Sequence, residues 1–199
     1  MTRVHKMVAT YLDEYVSKGA KEVSGGDFAR LVNQLHIAQW EHGLADSFNA
    51  RLLERIIQVF MRTYKDSVFS AKDIVQLEQG FKSMLLNVNM PERFTGKLDE
   101  ALHKIASDLT SGNDADYLTM LRMFDDKGML SDDLIHRLRE NVEIRFDYMP
   151  RDTLLDYCEL MKDLGLLFED THLIGRLESY FKNNFSNFTL PELFKLLKL

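Results

Sequence analysis

The chain has 199 residues, of which 45% are hydrophobic, and its 31 acidic and 25 basic side chains give a net charge of −6. These values are typical of a globular protein, and no run of about 18 uncharged apolar residues occurs, so neither long disorder nor a membrane span is expected. The acidic balance excludes a basic field over the whole chain, and a single cysteine, Cys158, excludes an intramolecular disulfide framework.

The composition also predicts the secondary-structure class. Ten glycines and three prolines are few for this length, because helix interiors disfavour both residues. Pro91, Pro150 and Pro191 each stand at the start of a periodic segment, where the missing N–H costs nothing. No run of alternating β-branched residues predicts a strand. The sequence therefore predicts an all-α protein.

Taken in chain order, the apolar residues recur at helical spacing in a series of segments separated by short breaks. An opening helix is predicted at about 3–18, ending at Gly19. Residues 1–26 would form an N-terminal helix and cap. The helix boundaries predicted in the remaining first half are the break at 24–27, Gly43, a cap at Asp46 or Ser47, Ser70 and Pro91. The inward residues predicted there are Phe28, Leu31, Leu35, Ala38, Leu52, Leu53, Ile56, Ile57, Phe60, Ile74, Leu77, Phe81, Leu85, Phe94, Leu98, Leu102 and Ile105.

The second half follows the same plan after a loop at 111–114. Helices are predicted to stop at Gly128 and Gly165, to start at Ser131 and to end with a short helix capped by Thr189. The predicted inward residues are Tyr117, Leu118, Leu121, Phe124, Leu134, Ile135, Leu138, Val142, Leu154, Tyr157, Leu160, Met161, Leu173, Ile174, Leu177, Phe181, Leu193, Phe194 and Leu197. Gly175 interrupts one apolar run, so a close approach of two helices is predicted there.

Two segments of the second half repeat. Residues 124–130 match 161–167 at an offset of 37 residues, and 134–138 match 173–177 at an offset of 39. Helix pairs that recur with such a degenerate period are typical of stacked arrays. The pattern favours an α-solenoid of antiparallel helix pairs, with a period of about 37 to 45 residues. It would form a single domain over 1–199, with about four pairs and a terminal helix over 27–199. A closed helical bundle is the alternative.

The sequence contains no pattern typical of a catalytic or metal site. The six histidines form no H-E-x-x-H motif, and no G-x-S-x-G or P-loop occurs. The acidic segment before Gly128 resembles a calcium loop, but Met123 and Lys127 would occupy ligand positions, so that reading is rejected. Cys158 has no histidine nearby in sequence and is predicted to be a packed or half-buried thiol, not a nucleophile. No enzyme activity, cofactor, metal or small-molecule substrate is expected.

Arginines mark the second helix of several predicted pairs. Steps of four and seven return to one helix face, and equivalent helices of a solenoid line one surface, so these side chains could form a phosphate-binding track. Glutamates stand among them, and a solvated face with paired charges is the other interpretation. The candidate RNA-binding residues are Arg51, Arg55, Arg62, Arg137, Arg139, Arg145 and Arg176.

Candidate protein-binding residues lie at Trp40 and in the C-terminal segment. Trp40, at the end of its predicted helix, is a candidate exposed anchor, with a core position as the alternative. The segment from Thr189 begins a well-capped helix that holds more apolar residues than packing against Leu173, Leu177 and Phe181 would cover. Either the native chain continues beyond Leu199 or another subunit covers the helix. The candidate residues there are Leu193, Phe194, Leu196, Leu197 and Leu199.

The helix pairs, with anchors such as 154–157 and 193–197 and a Leu-Gly hinge before the second helix, resemble degenerate helical repeats of organellar RNA-metabolism proteins. These are the heptatricopeptide and octotricopeptide arrays, the leucine-rich region beside RAP domains, and helical-repeat subunits of kinetoplastid RNA-editing complexes. The resemblance covers the chain from Asp27 onward. It implies RNA processing or ribosome assembly in a mitochondrion. The short basic start at Met1–Lys6 is unlike a transit peptide, and a cytoplasmic location is the alternative.

The resemblance and the charge together order two functional hypotheses. No RAP domain follows, and the acidic balance departs from a typical RNA-binding array. The first hypothesis is therefore a non-enzymatic scaffold that contacts other protein subunits of a larger complex, with RNA reached through that complex. The second is direct RNA binding by the arginine-lined face. No membrane partner is expected.

Overall fold

The computed structural model describes residues 24–41, 50–86, 92–109 and 113–199, together with Met7 and Thr10. Within these residues all regular secondary structure is helical and no strand occurs, which confirms the all-α prediction. The α-helices are α1 (Gly25–Glu41), α2 (Ala50–Thr63), α3 (Ala71–Leu86), α4 (Glu92–Ser107), α5 (Asp114–Asp126), α6 (Asp132–Arg145), α7 (Arg151–Asp163), α8 (Thr171–Asn184) and α9 (Leu190–Leu196). The predicted opening helix at 3–18 and the cap at Asp46 or Ser47 lie outside the described residues.

The chain divides into two compact units, Met1–Asp116 and Tyr117–Leu199. Each unit is a set of packed helices. The continuous solenoid and the single domain over 1–199 stay predictions, since the two units are described separately.

The core of the first unit is aromatic. Phe60 of α2 stacks on Phe28 of α1, with ring centroids 5.7 Å apart, and lies 5.6 Å from Phe81 of α3. All three side chains are fully or almost fully buried, as their spacing predicts. Leu31 and Leu85, also predicted inward, are only half-buried because they lie at the border of their apolar stripes.

Helices α1 and α3 approach each other closely at Gly80 of α3. A Cβ atom built there would lie 2.6 Å from Cγ1 of Val32 and 3.3 Å from the Val32 carbonyl oxygen, so any larger residue would force the neighbouring atoms to shift. The prediction placed such an approach at Gly175, and this was wrong. Gly175 is exposed, and a Cβ there would meet no atom within 4 Å.

The second unit shows why its sequence repeats. Gly128 and Gly165, which follow α5 and α7, both adopt positive φ, at 64° and 72°. In both places the next residue closes the helix with a backbone bond: Met129 N donates to Phe124 O, and Leu166 N donates to Met161 O. The predicted stops are confirmed, and the two segments matched at an offset of 37 residues share one local structure.

The helix starts of the second unit are capped by side chains, at Ser131 as predicted and at Asp170, which was not predicted. Ser131 accepts a hydrogen bond from Leu134 N at the start of α6, and Asp170 accepts one from Leu173 N at the start of α8. The buried residues of α5–α8 include most of those predicted, whereas Ile135, Ile174 and Phe181 are half-buried. The side chains of Ala38, Leu52 and Phe94 lie outside the described part of the first unit.

Candidate functional site

The C-terminal helix α9 forms because its first turn satisfies its own backbone. The Thr189 hydroxyl accepts from Glu192 N, and the Glu192 carboxylate accepts from the Thr189 N–H at 2.6 Å and from its hydroxyl at 2.8 Å. These hydrogen bonds to the charged form lower the pKa of Glu192. Pro191 stands in the same turn. The capping box predicted from the sequence is confirmed.

Polar contacts hold α9 against α7. Lys195 Nζ lies 2.5 Å from Asp156 Oδ1, and Lys162 Nζ donates to the Lys198 carbonyl oxygen. Arg151 donates to the Asn187 carbonyl oxygen at 2.5 Å and lies 3.6 Å from the Glu192 carboxylate. These contacts tie both ends of α9 to one neighbouring helix.

The neighbour of α9 differs from the predicted one. The sequence predicted packing against Leu173, Leu177 and Phe181, which belong to α8, whereas the principal helix neighbour of α9 is α7. The link to α8 comes just before α9, where the Phe188 ring lies 5.8 Å from that of Phe181. We expected α8 as the neighbour because it directly precedes α9 in the sequence. The short 3-10 helix at Phe185–Asn187 instead brings the chain back to α7.

The apolar residues of α9 and of the last three residues of the sequence, 197–199, separate into two faces. Leu193, Leu196 and Leu199 are half-buried. Leu190, Phe194 and Leu197 are 72%, 65% and 82% exposed, and their spacing of four and three residues places them in one row, which we call the apolar stripe. Phe194 and Leu197 were predicted both as inward residues and as binding residues, and the inward placement is wrong because both are exposed. Leu190 was not, although its distance of four from Phe194 identifies it.

The remaining predicted protein-binding residue is Trp40. It belongs to α1, but its side chain lies outside the described part of the structure, so its role as an anchor stays a prediction.

The candidate arginines occupy different environments. Arg55 and Arg62 of α2 are exposed, and the Arg51 side chain lies outside the described part. In the second unit, Arg139 contacts Glu169 at 2.6 Å, and Arg176 lies 3.3 Å from Asp147. The half-buried candidates of the second unit are Arg137, Arg139, Arg145 and Arg176. The phosphate track stays a prediction, but two of its arginines already contact carboxylates.

A shallow groove of about 590 Å³ lies along α8, where Gly175 leaves space. Arg176 crosses it with its guanidinium 4.3 Å from the Phe146 ring centroid, and donates to the Glu143 carbonyl oxygen. His172 lies 3.8 Å from the Glu143 carboxylate. Arg176 and His172 thus lie against acidic side chains of α6 and of the turn after it.

Two buried titratable side chains of the second unit have raised pKa values. Burial raises the pKa of the Cys158 thiol to about 12, so the thiol is protonated at neutral pH, and its predicted packing in the interior is confirmed. Burial also raises the pKa of Tyr117, an effect that the charge of Arg137 opposes. Cys158 is therefore no activated nucleophile.

Among the described residues, no group of three or more histidine, cysteine, aspartate or glutamate side chains is placed to hold a metal ion. None of the helices in the described ranges is long and apolar enough to cross a membrane.

The comparisons with known proteins identify no relative. No protein-family model matches the chain, and neither a curated protein nor a solved structure is significantly similar to it. The geometry of α9 is therefore the main structural basis for a functional proposal.

Proposed function

We propose that this chain is a non-enzymatic scaffold that contacts other protein subunits of a larger complex, and that the apolar stripe on α9 is its principal binding site. The observation that carries the proposal is the exposure of Leu190, Phe194 and Leu197 in one row on a helix whose other side is held against α7. Single exposed apolar residues are common on proteins, but a continuous row of three large ones is typical of an interaction site.

The stripe is large enough to contribute to binding. Burying an exposed leucine or phenylalanine contributes about 1.5 to 3 kcal/mol, so three such side chains provide roughly 5 to 9 kcal/mol of gross transfer free energy. Association costs several kcal/mol in lost freedom, so the stripe alone supports a weak contact. Further contacts along the chain would supply the rest, as a scaffold in a multisubunit complex requires.

The finer assignments rest on the sequence. The repeat offsets of 37 and 39 residues support an α-solenoid. The resemblance to organellar helical repeats supports a role in mitochondrial RNA processing, RNA editing or ribosome assembly, with a cytoplasmic location as the alternative.

The decisive experiment compares two double variants of the full chain. Phe194→Glu with Leu197→Glu places charges on the stripe, whereas Ile144→Glu with Tyr148→Glu places them on other exposed apolar residues of the same unit. Both proteins are expressed with an affinity tag in the source organism, and the proteins that co-purify are quantified with and without nuclease treatment. We expect the stripe variant to lose nuclease-resistant partners that the control retains. Retention of all partners by the stripe variant would contradict the proposal.

Direct RNA binding is the second candidate function. The exposure of Arg55 and Arg62, seven residues apart on one face of α2, supports it, because exposed guanidinium groups can contact phosphates. In the co-purification experiment, partners that disappear with nuclease would favour this function over the scaffold.

A further inference from the structure

The face of α7 that contacts α9 can be identified from the structure. Arg151, Leu155, Cys158 and Lys162 are spaced by four, three and four residues, so they share one face of α7. The two residues at its ends, Arg151 and Lys162, both contact the C-terminal segment. This face is therefore turned toward α9.

The apolar stripe is the counterpart of that face one repeat later. At the offset of 39 residues, Leu190, Phe194 and Leu197 stand where Arg151, Leu155 and Cys158 stand in α7. The exposures differ sharply: Leu155 is 1% and Cys158 0% exposed, against 65% for Phe194 and 82% for Leu197. The stripe thus has the position of a surface that receives a helix.

Charges along one edge of these helices indicate what kind of helix fits. Arg122 of α5 lies 3.6 Å from Glu159 of α7, its equivalent at an offset of 37 residues. Asp156 of α7 lies 2.5 Å from Lys195 of α9, its equivalent at an offset of 39. Opposite charges therefore meet along this edge between α5 and α7 and between α7 and α9, and Lys198 follows Lys195 by one turn.

We propose that the apolar stripe binds an amphipathic α-helix of a partner protein, with acidic side chains along the edge that meets the exposed Lys198, beside the Lys195–Asp156 pair. The helix would lie on α9 as α9 lies on α7, and its acidic edge would continue the contact of opposite charges between neighbouring helices. The proposal rests on the scaffold function and specifies the chemistry of the partner. A second copy of α9 fits less well, because its two lysines would face Lys195 and Lys198.

The test uses two synthetic peptides that copy residues 185–199. One keeps the lysines at 195 and 198, and the other carries Lys195→Glu and Lys198→Glu. Both present the leucines that α9 turns toward α7, so they differ only in charge. Their affinity for the full chain is measured by fluorescence anisotropy at low and high salt. The acidic peptide cannot replace α9 on α7, since its glutamates would meet Asp156.

We expect the acidic peptide to bind about fivefold more tightly than the basic one at low salt, with the difference reduced at high salt. The Lys198→Glu variant of the chain should reverse this preference, and Phe194→Glu with Leu197→Glu should abolish binding of the acidic peptide. Equal affinities for both peptides, no binding of either, or binding that survives the stripe variant would overturn the proposal.

Two outcomes separate this proposal from the scaffold function. If the stripe variant loses its co-purifying partners while the two peptides bind equally, the scaffold function holds and the acidic helix is wrong. If sedimentation velocity shows that the unmodified chain dimerises and that the stripe variant does not, the occupant is a second copy.

Discussion

Replacing Gly80 by alanine tests the packing of the first unit most directly. The new Cβ would lie 2.6 Å from Val32 Cγ1, about 1 Å closer than the 3.5 to 4.0 Å of normal carbon contacts. The valine side chain is β-branched and stiff in a helix, so it cannot turn away. The Val32 carbonyl oxygen at 3.3 Å limits any shift of α1 toward α3. The helices must therefore move apart.

The expected free-energy change follows from two opposing effects. Overpacking costs about 1 to 3 kcal/mol, and alanine gains about 1 kcal/mol over glycine in a helix interior. Gly80→Ala should therefore destabilise the first unit by up to about 2 kcal/mol. Gly96 of α4 is the matched control, because a Cβ there meets no atom within 4 Å. Gly96→Ala should stabilise the same unit by up to about 1 kcal/mol.

The assay is equilibrium urea unfolding followed by far-UV circular dichroism and by fluorescence of the only tryptophan, Trp40, which belongs to α1. Two signals are needed because a chain with two compact units need not unfold in one step. The double variant with Val32→Ala should be less destabilised than the sum of the single changes. The close approach of α1 and α3 would be refuted by equal stabilisation from Gly80→Ala and Gly96→Ala, or by additive double-variant energies.

Four further predictions concern the Cys158 thiol, the two capping residues of α9 and RNA binding. Burial raises the pKa of Cys158 from 9.0 to about 12, so above pH 9 the thiol of the unfolded chain loses its proton while that of the folded chain keeps it. The free energy of unfolding should therefore fall above pH 9 by up to about 1.4 kcal/mol per pH unit. Cys158→Ala should flatten this slope in urea titrations at alkaline pH. Thr189→Ala should weaken α9 by about 1 kcal/mol, seen as faster amide hydrogen exchange there. Because the pKa of Glu192 is lowered in the folded chain, its carboxylate stabilises α9 near neutral pH, and this stabilisation is lost as the pH falls through that pKa. Amide hydrogen exchange in α9 should therefore accelerate in acid. Glu192→Gln should remove this acceleration. We expect weak RNA binding at physiological salt. Arg55→Ala with Arg62→Ala should lower the affinity equally for all RNA sequences and reduce the slope of log affinity against log salt concentration by nearly one unit per lost contact. Unchanged binding would remove these residues from the RNA hypothesis.

The sequence alone determined the helices and their ends. Apolar residues at helical spacing, caps such as Ser131 and Thr189, and glycines such as Gly128 and Gly165 act within a few residues of themselves. Their effects are therefore visible in any local segment of sequence. For the same reason the repeat at an offset of 37 residues was recognisable, since both copies close their helices with the same local bond.

Only the tertiary structure decided which surfaces meet. Gly80 and Gly175 both stand in helices, but only Gly80 faces another backbone, which depends on how α3 lies on α1. Likewise, the sequence marked the last helix as too apolar, but it could not separate Leu193, which is half-buried, from Phe194, which is exposed. That separation follows from the placement of α9 on α7, which contacts between residues 36 and 39 positions apart hold in place. Contacts between distant residues leave no local periodicity, so the exposed stripe that we propose as a binding surface became visible only in the folded chain.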